Sequence, residues 1–363
     1  MAKKKTLCLT GGGSGGHIYP ALAIAEEIES QSPDVEIILV GAKRGLEKSL
    51  FKKTKYKSYF LPVGQLHSSV GRLKQFWSLL KMPYCFLLSL WILLWQRPSV
   101  VMGVGGYASG PLCLMSNLLG IPTYVWEGNA TPGVTNRILG KFKITPFLVF
   151  KEASIYFKKI KPIMTGVPVR KALEDKAEQK KNSESDKDFN VLFVGGSQGA
   201  KIFNEILPKL SKDFDLSGVQ VVHQTGLKNY ESVLSDYGED KKSNVEVLAY
   251  LDPIRDYYLN ADVVVSRSGA GAVNELSLLG KPSILIPFPK ASDNHQHKNA
   301  EALVMQNAAI LIDETDFTAK KINDVLLALR DDPSHLKDLG VNIQKSLKRG
   351  AREEIAAHLL KHL

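Results

Sequence analysis

Short apolar runs, rich in β-branched residues, alternate along this chain with longer stretches whose apolar positions recur at helical spacing. The runs that read as strands in the first half are Thr6–Thr10, Glu36–Gly41, Ser58–Leu61, Val100–Val104, Thr123–Trp126 and Thr145–Phe150. In the second half they are Asn190–Val194, Val219–Gln224, Val245–Leu248, Asp262–Ser266, Ser283–Pro287 and Ala309–Ile312. Strand alternating with helix predicts parallel sheets joined by crossover helices, an α/β fold.

The two halves echo each other. Thr6–Gly16 (TLCLTGGGSGG) and Asn190–Gly199 (NVLFVGGSQG) both read as strand, glycine-rich turn and helix start. Val101–Gly120 and Asp262–Gly280 repeat the scheme, each followed by a further strand. Two Rossmann-like domains in tandem are expected, residues 1–165 and 166–344. A terminal helix, 345–363, is expected to return to the first domain. Ligands of such sheets sit beyond the carboxyl ends of the strands, so the glycine-rich turns are expected to face a common cleft. Lys171–Asp188, charged and almost without apolar residues, reads as an exposed interdomain segment.

Charge sharpens this picture. The net charge is +10. Residues 1–165 hold 21 Lys and Arg against 8 Asp and Glu, so the excess lies entirely in the first half. A polyanionic partner is expected there: a phosphorylated substrate or an anionic membrane surface. No zinc-finger, homeodomain or RRM pattern points to nucleic acid. Three scattered cysteines exclude a disulfide framework and a cysteine-based zinc site. Between Lys81 and Arg97 the chain is strongly apolar, with Trp91 and Trp95, but only 15 residues long. About 20 are needed to span a bilayer, so an interfacial helix or a buried crossover is expected. No apolar leader follows Met1, and a cytoplasmic protein is expected.

Candidate chemistry lies in the turns. Gly11–Gly16 precedes His17 and an amphipathic helix, with Pro20 expected in its first turn. Glycines admit a ligand to the backbone, and a helix start offers unpaired N–H groups to an anion. The loop fits G-x-G-x-x-G, but no acidic residue ends the second strand; it has Walker A spacing, but His17 and Ile18 stand where Lys and Ser/Thr are needed. His17 is placed either as a general base or as a helix-terminal histidine bonded to backbone. Gly195–Ala200 is a second anion loop by the same physics. After the strand ending at Ser266, Glu275 falls early in a helix, where it can accept from vicinal hydroxyls or simply complement the helix dipole. Glu127, the one acidic residue between Glu47 and Glu152, marks a site or a cap. His295 and His297 lack the spacing of a helical metal pair, and Asp186–Asp188 reads as a solvated charge run. No metal or cofactor is expected.

Six motifs in this order, GGGSGGH, GVGGYASGP, TGVPVR, GGSQGA, SRSGAGAVNE and HQHKNA, resemble the MurG family over essentially the whole chain. The resemblance implies a GT-B fold and an inverting transferase at the cytoplasmic face of the inner membrane, moving N-acetylglucosamine from UDP-GlcNAc to a lipid-linked muramyl-pentapeptide. Carried over by motif, Ser14, Gly15 and Gly16 approach the donor diphosphate or the acceptor, and Asn129 contacts the donor sugar. Arg170 and Ser197 hold the diphosphate, and the Leu251 backbone meets the uracil. Ala270, Gly271, Ala272, Val273, Asn274 and Glu275 line the nucleotide, with Glu275 on the ribose. Gln296 and Asn299 bind sugar hydroxyls, and His17 and Glu127 are the catalytic candidates. Trp126-Glu127-Gly128-Asn129 departs from the common His-Glu-Gln-Asn of that family. Competing expectations are another UDP-sugar enzyme of the same fold, such as a lipid glycosyltransferase or a 2-epimerase, and an NAD(P) oxidoreductase.

Overall fold

A computed structural model describes residues 5–12, 15–43, 46–64, 76–78, 80–169, 188–196, 198–238, 243–346 and 348–363. The chain divides into two units, Met1–Asp175 with Lys348–Leu363, and Lys176–Leu347.

The first unit runs β1 (Thr6–Thr10), α1 (Gly15–Gln31), β2 (Glu36–Ala42), α2 (Leu46–Lys52), β3 (Lys57–Leu61), α3 (Met82–Gln96), β4 (Val100–Gly103), α4 (Ser109–Leu118), β5 (Thr123–Glu127), α5 (Val134–Leu139), β6 (Thr145–Leu148) and β7 (Ile163–Met164). These strands form one sheet in the order β3-β2-β1-β4-β5-β6-β7, every pairing parallel. Helices cover both faces, so β1 and β4 are buried at every position. That is why they read as unbroken apolar runs rather than alternating ones. Burial pushes the Cys8 thiol up to about 12, which leaves it a core residue and no nucleophile.

The second unit repeats the plan: β8 (Phe189–Val194), α6 (Lys201–Asp213), β9 (Val219–Gln224), α7 (Tyr230–Tyr237), β10 (Val245–Leu248), α8 (Ile254–Asn260), β11 (Val263–Ser266), α9 (Ala270–Leu279), β12 (Ser283–Leu285), α10 (His295–Val304), β13 (Ile310–Leu311), α11 (Ala319–Asp331) and α12 (Pro333–Ser346). Its parallel sheet has the order β10-β9-β8-β11-β12-β13. Phe193, Phe203, Val265, Ile284, Ile322 and Leu326 belong to its core. In both sheets the strand order reverses beside the first strand, between β1 and β4 and between β8 and β11. These are the two Rossmann-like domains expected from the alternation.

Three expectations need correction. α1 starts at Gly15, so Pro20 lies inside the helix rather than in its first turn; one carbonyl near the helix start loses its amide partner. The terminal helix is two helices, α12 and α13 (Ala351–Leu360), separated at Gly350 with φ 72°. The apolar helical run extends over Phe76–Gln96, 21 residues, long and apolar enough to cross a membrane by length and composition. Within it, Cys85, Ser89, Ile92 and Leu93 of α3 are buried, while Tyr84, Leu87, Trp91, Leu94 and Trp95 stand out on the opposite stripe. A helix committed on one face to its own sheet layer is a crossover with an uncovered apolar side. The expected Lys171–Asp188 segment lies outside the described residues, except Asp188.

α13 packs on α1. Arg352, only 4% exposed, meets Glu27 at 2.7 Å and donates to the Val169 carbonyl at 3.0 Å. Lys348 donates to the Met164 carbonyl at 3.0 Å, and Tyr124 bonds His362 at 2.9 Å. The end of the chain is thereby tied to the sheet and leading helix of the first unit.

His223, on β9, is fully buried. Its Nε2 faces Asn204 Oδ1 at 3.1 Å and its Nδ1 faces the Tyr237 hydroxyl at 3.0 Å. Asn204 Oδ1 only accepts, so Nε2 carries the proton and Nδ1 accepts from the tyrosine. Burial lowers the pKa to about 3. Below the ordinary histidine value near 6.5, the unfolded chain takes up a proton that the fold refuses, so stability falls as pH drops from 6.5 toward 3. Between pH 8 and pH 5 this one group should cost the second unit about 2 kcal/mol. Hydrogen exchange at the β9 amides should register that loss, and His223→Gln should be less stable at pH 8 yet change less between the two pH values.

Candidate active site

Where strand order reverses, the two following helices leave on opposite faces and a crevice opens at the strands' carboxyl ends. In the first unit it is bordered by the turn after β1 and the turn after β4. The Gly12 amide donates to the Gly105 carbonyl at 3.3 Å. Ser109 Oγ, fully buried, donates to the carbonyls of Thr10 at 3.0 Å and Gly105 at 2.8 Å. Half-buried His17, in the first turn of α1, lies across this junction with Nδ1 at 3.2 Å from the Gly12 carbonyl. A carbonyl only accepts, so Nδ1 carries the proton and Nε2 is the basic nitrogen. The Nε2 edge lies against Gly105, where a Cβ would stand 2.7 Å from Nε2. Gly105 also has φ +98°, so steric room and backbone conformation both call for glycine there.

Glu127 ends β5 and is 3% exposed. Its Oε1 accepts from the Asn129 amide at 2.9 Å and the Asn129 side chain at 3.0 Å. Its Oε2 accepts from the Gly133 amide at 3.1 Å and Asn136 Nδ2 at 2.9 Å. Four donors occupy the carboxylate, which organises the loop entering α5. The capping reading of Glu127 fits this geometry. Beside it, the Trp126 indole, 2% exposed, donates to the Gly166 carbonyl at 3.0 Å. The same ring roofs Gly128, where a Cβ would come within 2.6 Å of Cη2.

The second unit presents two helix starts at its own reversal. The turn before α6 is held by Gln224, whose Oε1 accepts from the Gly195 amide at 3.2 Å, and by Asn229, which donates to the Gln198 carbonyl at 3.2 Å. The turn before α9 is held from α10: Asn299 donates to the Ser268 carbonyl at 3.1 Å and Ser268 Oγ to the Gln296 carbonyl at 2.9 Å. First-turn amides of α6 and α9 have no intrahelical acceptor, and together they favour an anion at this edge.

Glu275, on α9, is exposed, with Oε2 accepting from the Tyr258 hydroxyl at 3.1 Å. Surrounding protein raises its carboxyl pKa and the tyrosine bond opposes the rise. Gln296 is half-buried and accepts at Oε1 from the Phe288 amide at 2.9 Å, leaving its NH₂ as donor. The Leu251 side chain is 4% exposed, so contact there falls to backbone.

Among the expected site residues, Ser14, Arg170 and Ser197 lie outside the described residues. Gly15 and Gly16 open α1, and Asn129 is half-buried on the Glu127 loop. Ala270, Gly271, Ala272 and Asn274 lie with Glu275 in the first turns of α9. Two of these residues turn their side chains inward. Val273 is 1% exposed and faces the core, because helical spacing turns it inward. Asn299 is fully buried and braces the Ser268 backbone.

Motif reading missed Arg267. Its guanidinium donates to the Ile286 carbonyl at 3.1 Å and the Pro287 carbonyl at 3.2 Å, pairs with Glu314 and lies over Phe203 and Phe288. Its signal was a lone charge directly after an apolar strand. Tyr258 left no signal, because its partner is 17 positions away. Among the described residues, no group of three or more His, Cys, Asp or Glu side chains is arranged to hold a metal ion.

Comparison with known proteins agrees with this architecture. Residues 7–145 match the glycosyltransferase family 28 N-terminal domain, and residues 190–355 match the family 28 C-terminal domain. A protein of Myxococcus xanthus, named UDP-N-acetylglucosamine--N-acetylmuramyl-(pentapeptide) pyrophosphoryl-undecaprenol N-acetylglucosamine transferase, is 38% identical over 91% of this chain and 86% of its own length. A protein of the same name from Citrifermentans bemidjiense is 36% identical over 98% of this chain and 99% of its own. The crystal structure of Acinetobacter baumannii MurG superposes with a TM-score of 0.79 at 26% identity, covering 98% of this chain and 99% of that one.

The Glu127 knot gives a direct test. In Glu127→Gln one amide NH₂ must face converging N–H donors, at a cost of about 2 kcal/mol. The melting temperature should fall and activity should drop, while the pH–rate profile keeps its wild-type shape. An unchanged melting curve with a flattened profile would instead make Glu127 a proton carrier.

Proposed function

This chain belongs to glycosyltransferase family 28, and from that premise we propose that it transfers N-acetylglucosamine from UDP-GlcNAc to the C4 hydroxyl of a lipid-linked N-acetylmuramyl-pentapeptide in peptidoglycan synthesis. The observation that carries the reading is kinship along nearly the entire length with proteins named for that transfer. Family membership also sets aside the oxidoreductase alternative raised by Gly11, Gly13 and Gly16.

The chemistry follows from the residues. The acceptor hydroxyl oxygen bonds to the anomeric carbon of the donor on the face opposite the diphosphate. The bond from that carbon to the phosphate oxygen breaks, its electron pair leaves with UDP, and configuration inverts from α to β. The hydroxyl proton passes to His17 Nε2, the nitrogen left basic by the Nδ1 bond to Gly12. Charge growing on UDP is met by the amides opening α6 and α9, joined by Arg170 and Ser197. A single well-placed donor of this kind is worth about 10²-fold or more in rate. Glu275 takes the ribose hydroxyls, the Leu251 backbone the uracil, and Gln296 and Asn129 the sugar. Glu127 shapes the Asn129 loop.

The acceptor's lipid tail keeps it at a membrane, and two features fit the enzyme to the cytoplasmic leaflet. The uncovered stripe of α3 presents Trp91 and Trp95, stacked at 6.1 Å, and interfacial helices carry such apolar, aromatic faces. The basic excess of residues 1–165 supplies attraction to anionic lipid, each surface Lys or Arg adding about 1 kcal/mol. With its other face committed to protein, α3 lies along the surface and the protein is peripheral.

His17→Ala should lower kcat by about 10²-fold or more while UDP affinity, read by calorimetry, stays within about twofold; undiminished turnover would remove His17 as the base. Activity should survive EDTA, and its abolition would mean that a cation carries the leaving-group charge. Replacing Trp91 and Trp95 by Ser should reduce co-sedimentation with phosphatidylglycerol vesicles while leaving UDP binding unchanged.

A further inference from the structure

Tyr258 is almost completely buried, at 2% exposure, yet it ends in a hydroxyl that must find an acceptor. That acceptor is Oε2 of Glu275, at 3.1 Å. The two residues come from different elements: Tyr258 from α8, the helix leading into β11, and Glu275 from α9, the helix leaving it. Glu275 itself stands open to solvent on the second turn of α9. Among the described residues nothing donates to its Oε1.

An exposed glutamate on a helix ordinarily samples several rotamers, and holding it still costs side-chain entropy whenever a ligand binds. Here a rigid, buried phenol has already taken one oxygen. The carboxylate is held through one oxygen, on the helix whose start borders the reversal, and the other oxygen is left to accept. We propose that Tyr258 is a positioning residue that sets the enzyme's selectivity for a ribonucleotide donor, holding Glu275 in the rotamer that accepts from the 2′- and 3′-hydroxyls of the ribose. The proposal rests on the reading of Glu275 as the ribose acceptor and deepens it. The pinned carboxylate makes discrimination against a deoxyribose donor a property of two residues rather than one. A buried phenol is a suitable anchor because its ring cannot turn away without opening the core, and its single donor leaves the second carboxylate oxygen to the ligand.

The test uses the full-length enzyme, with UDP and 2′-deoxy-UDP as competing ligands and UDP-GlcNAc as substrate. Wild type should prefer UDP to 2′-deoxy-UDP, and Glu275→Gln should largely erase that preference. Tyr258→Phe, which keeps the ring and removes only the donor, should reduce the preference several-fold. It should raise KM for UDP-GlcNAc about tenfold, the effect of losing one hydrogen bond to a charged group, with a much smaller change in kcat. In the Glu275→Gln background, Tyr258→Phe should add nothing further to the preference. A purely structural tyrosine would not show that dependence on its partner.

If Glu275→Gln erases the preference and Tyr258→Phe leaves it at the wild-type level, the positioning role is overturned and the Glu275 reading stands. If Glu275→Gln leaves the preference intact, the ribose reading falls and takes the proposal with it. Thermal melts of each variant keep the readings separate from loss of fold. Should Tyr258→Phe melt far below wild type, Glu275→Asp supplies the second measurement. Drawing the carboxylate back from both phenol and ribose should lower the UDP preference as Tyr258→Phe is expected to, and an undiminished preference there would overturn the proposal.

Discussion

A parallel sheet wound outward in both directions from its first strand must contain one adjacent pair whose following helices part to opposite faces. At that pair the backbone cannot close over its own ends. Amides at the helix starts are left without acceptors, and nearby carbonyls are within reach of side chains. Both units obey this constraint, at β1/β4 and at β8/β11. Much of the local chemistry is a response to it: Ser109 bridging two carbonyls, His17 lying across the Gly12–Gly105 junction, Gln224 and Asn299 bracing turns from beneath. The first unit presents a basic imidazole edge there and the second presents paired helix starts.

The frame was legible in the amino-acid order for a specific reason. Strands buried on both faces must be apolar throughout, and the turns at the reversal must be glycine-rich, so β1 could be bounded to the residue and the four turns located; β9 and β10, where Gln220 and Glu246 alternate with buried valines, were bounded by that alternation instead. Short, half-buried pieces such as β7 carry too little pattern, and Pro20 misplaced the start of α1 because proline is tolerated one turn further in when the preceding residues already adopt helical geometry. Gly350 hid a break inside what reads as one terminal helix.

The site was legible as motifs rather than as roles. His17, Glu275 and Gln296 present polar atoms that a ligand could meet, but Val273 and Asn299 belong to the same motifs for packing and bracing. A motif records which residues recur together, whereas burial decides which of them a ligand can touch. Glu127 is the sharpest case: an isolated carboxylate beyond a buried strand attracts a catalytic reading, and only the positions of Asn129, Gly133 and Asn136 reveal its four donors. Tyr258 acts through a partner distant in sequence, and no local pattern announces such a contact.

Trp126 and Gly128 form a lock and its keyway. The indole reaches over to the Gly166 carbonyl only because the position two residues on has no side chain to obstruct it. The two sites therefore cannot drift independently. A bulkier residue at 128 would evict the indole, and a smaller one at 126 would leave a void beneath the loop and free the Gly166 carbonyl. Whatever occupies one of the two positions is therefore constrained by what occupies the other.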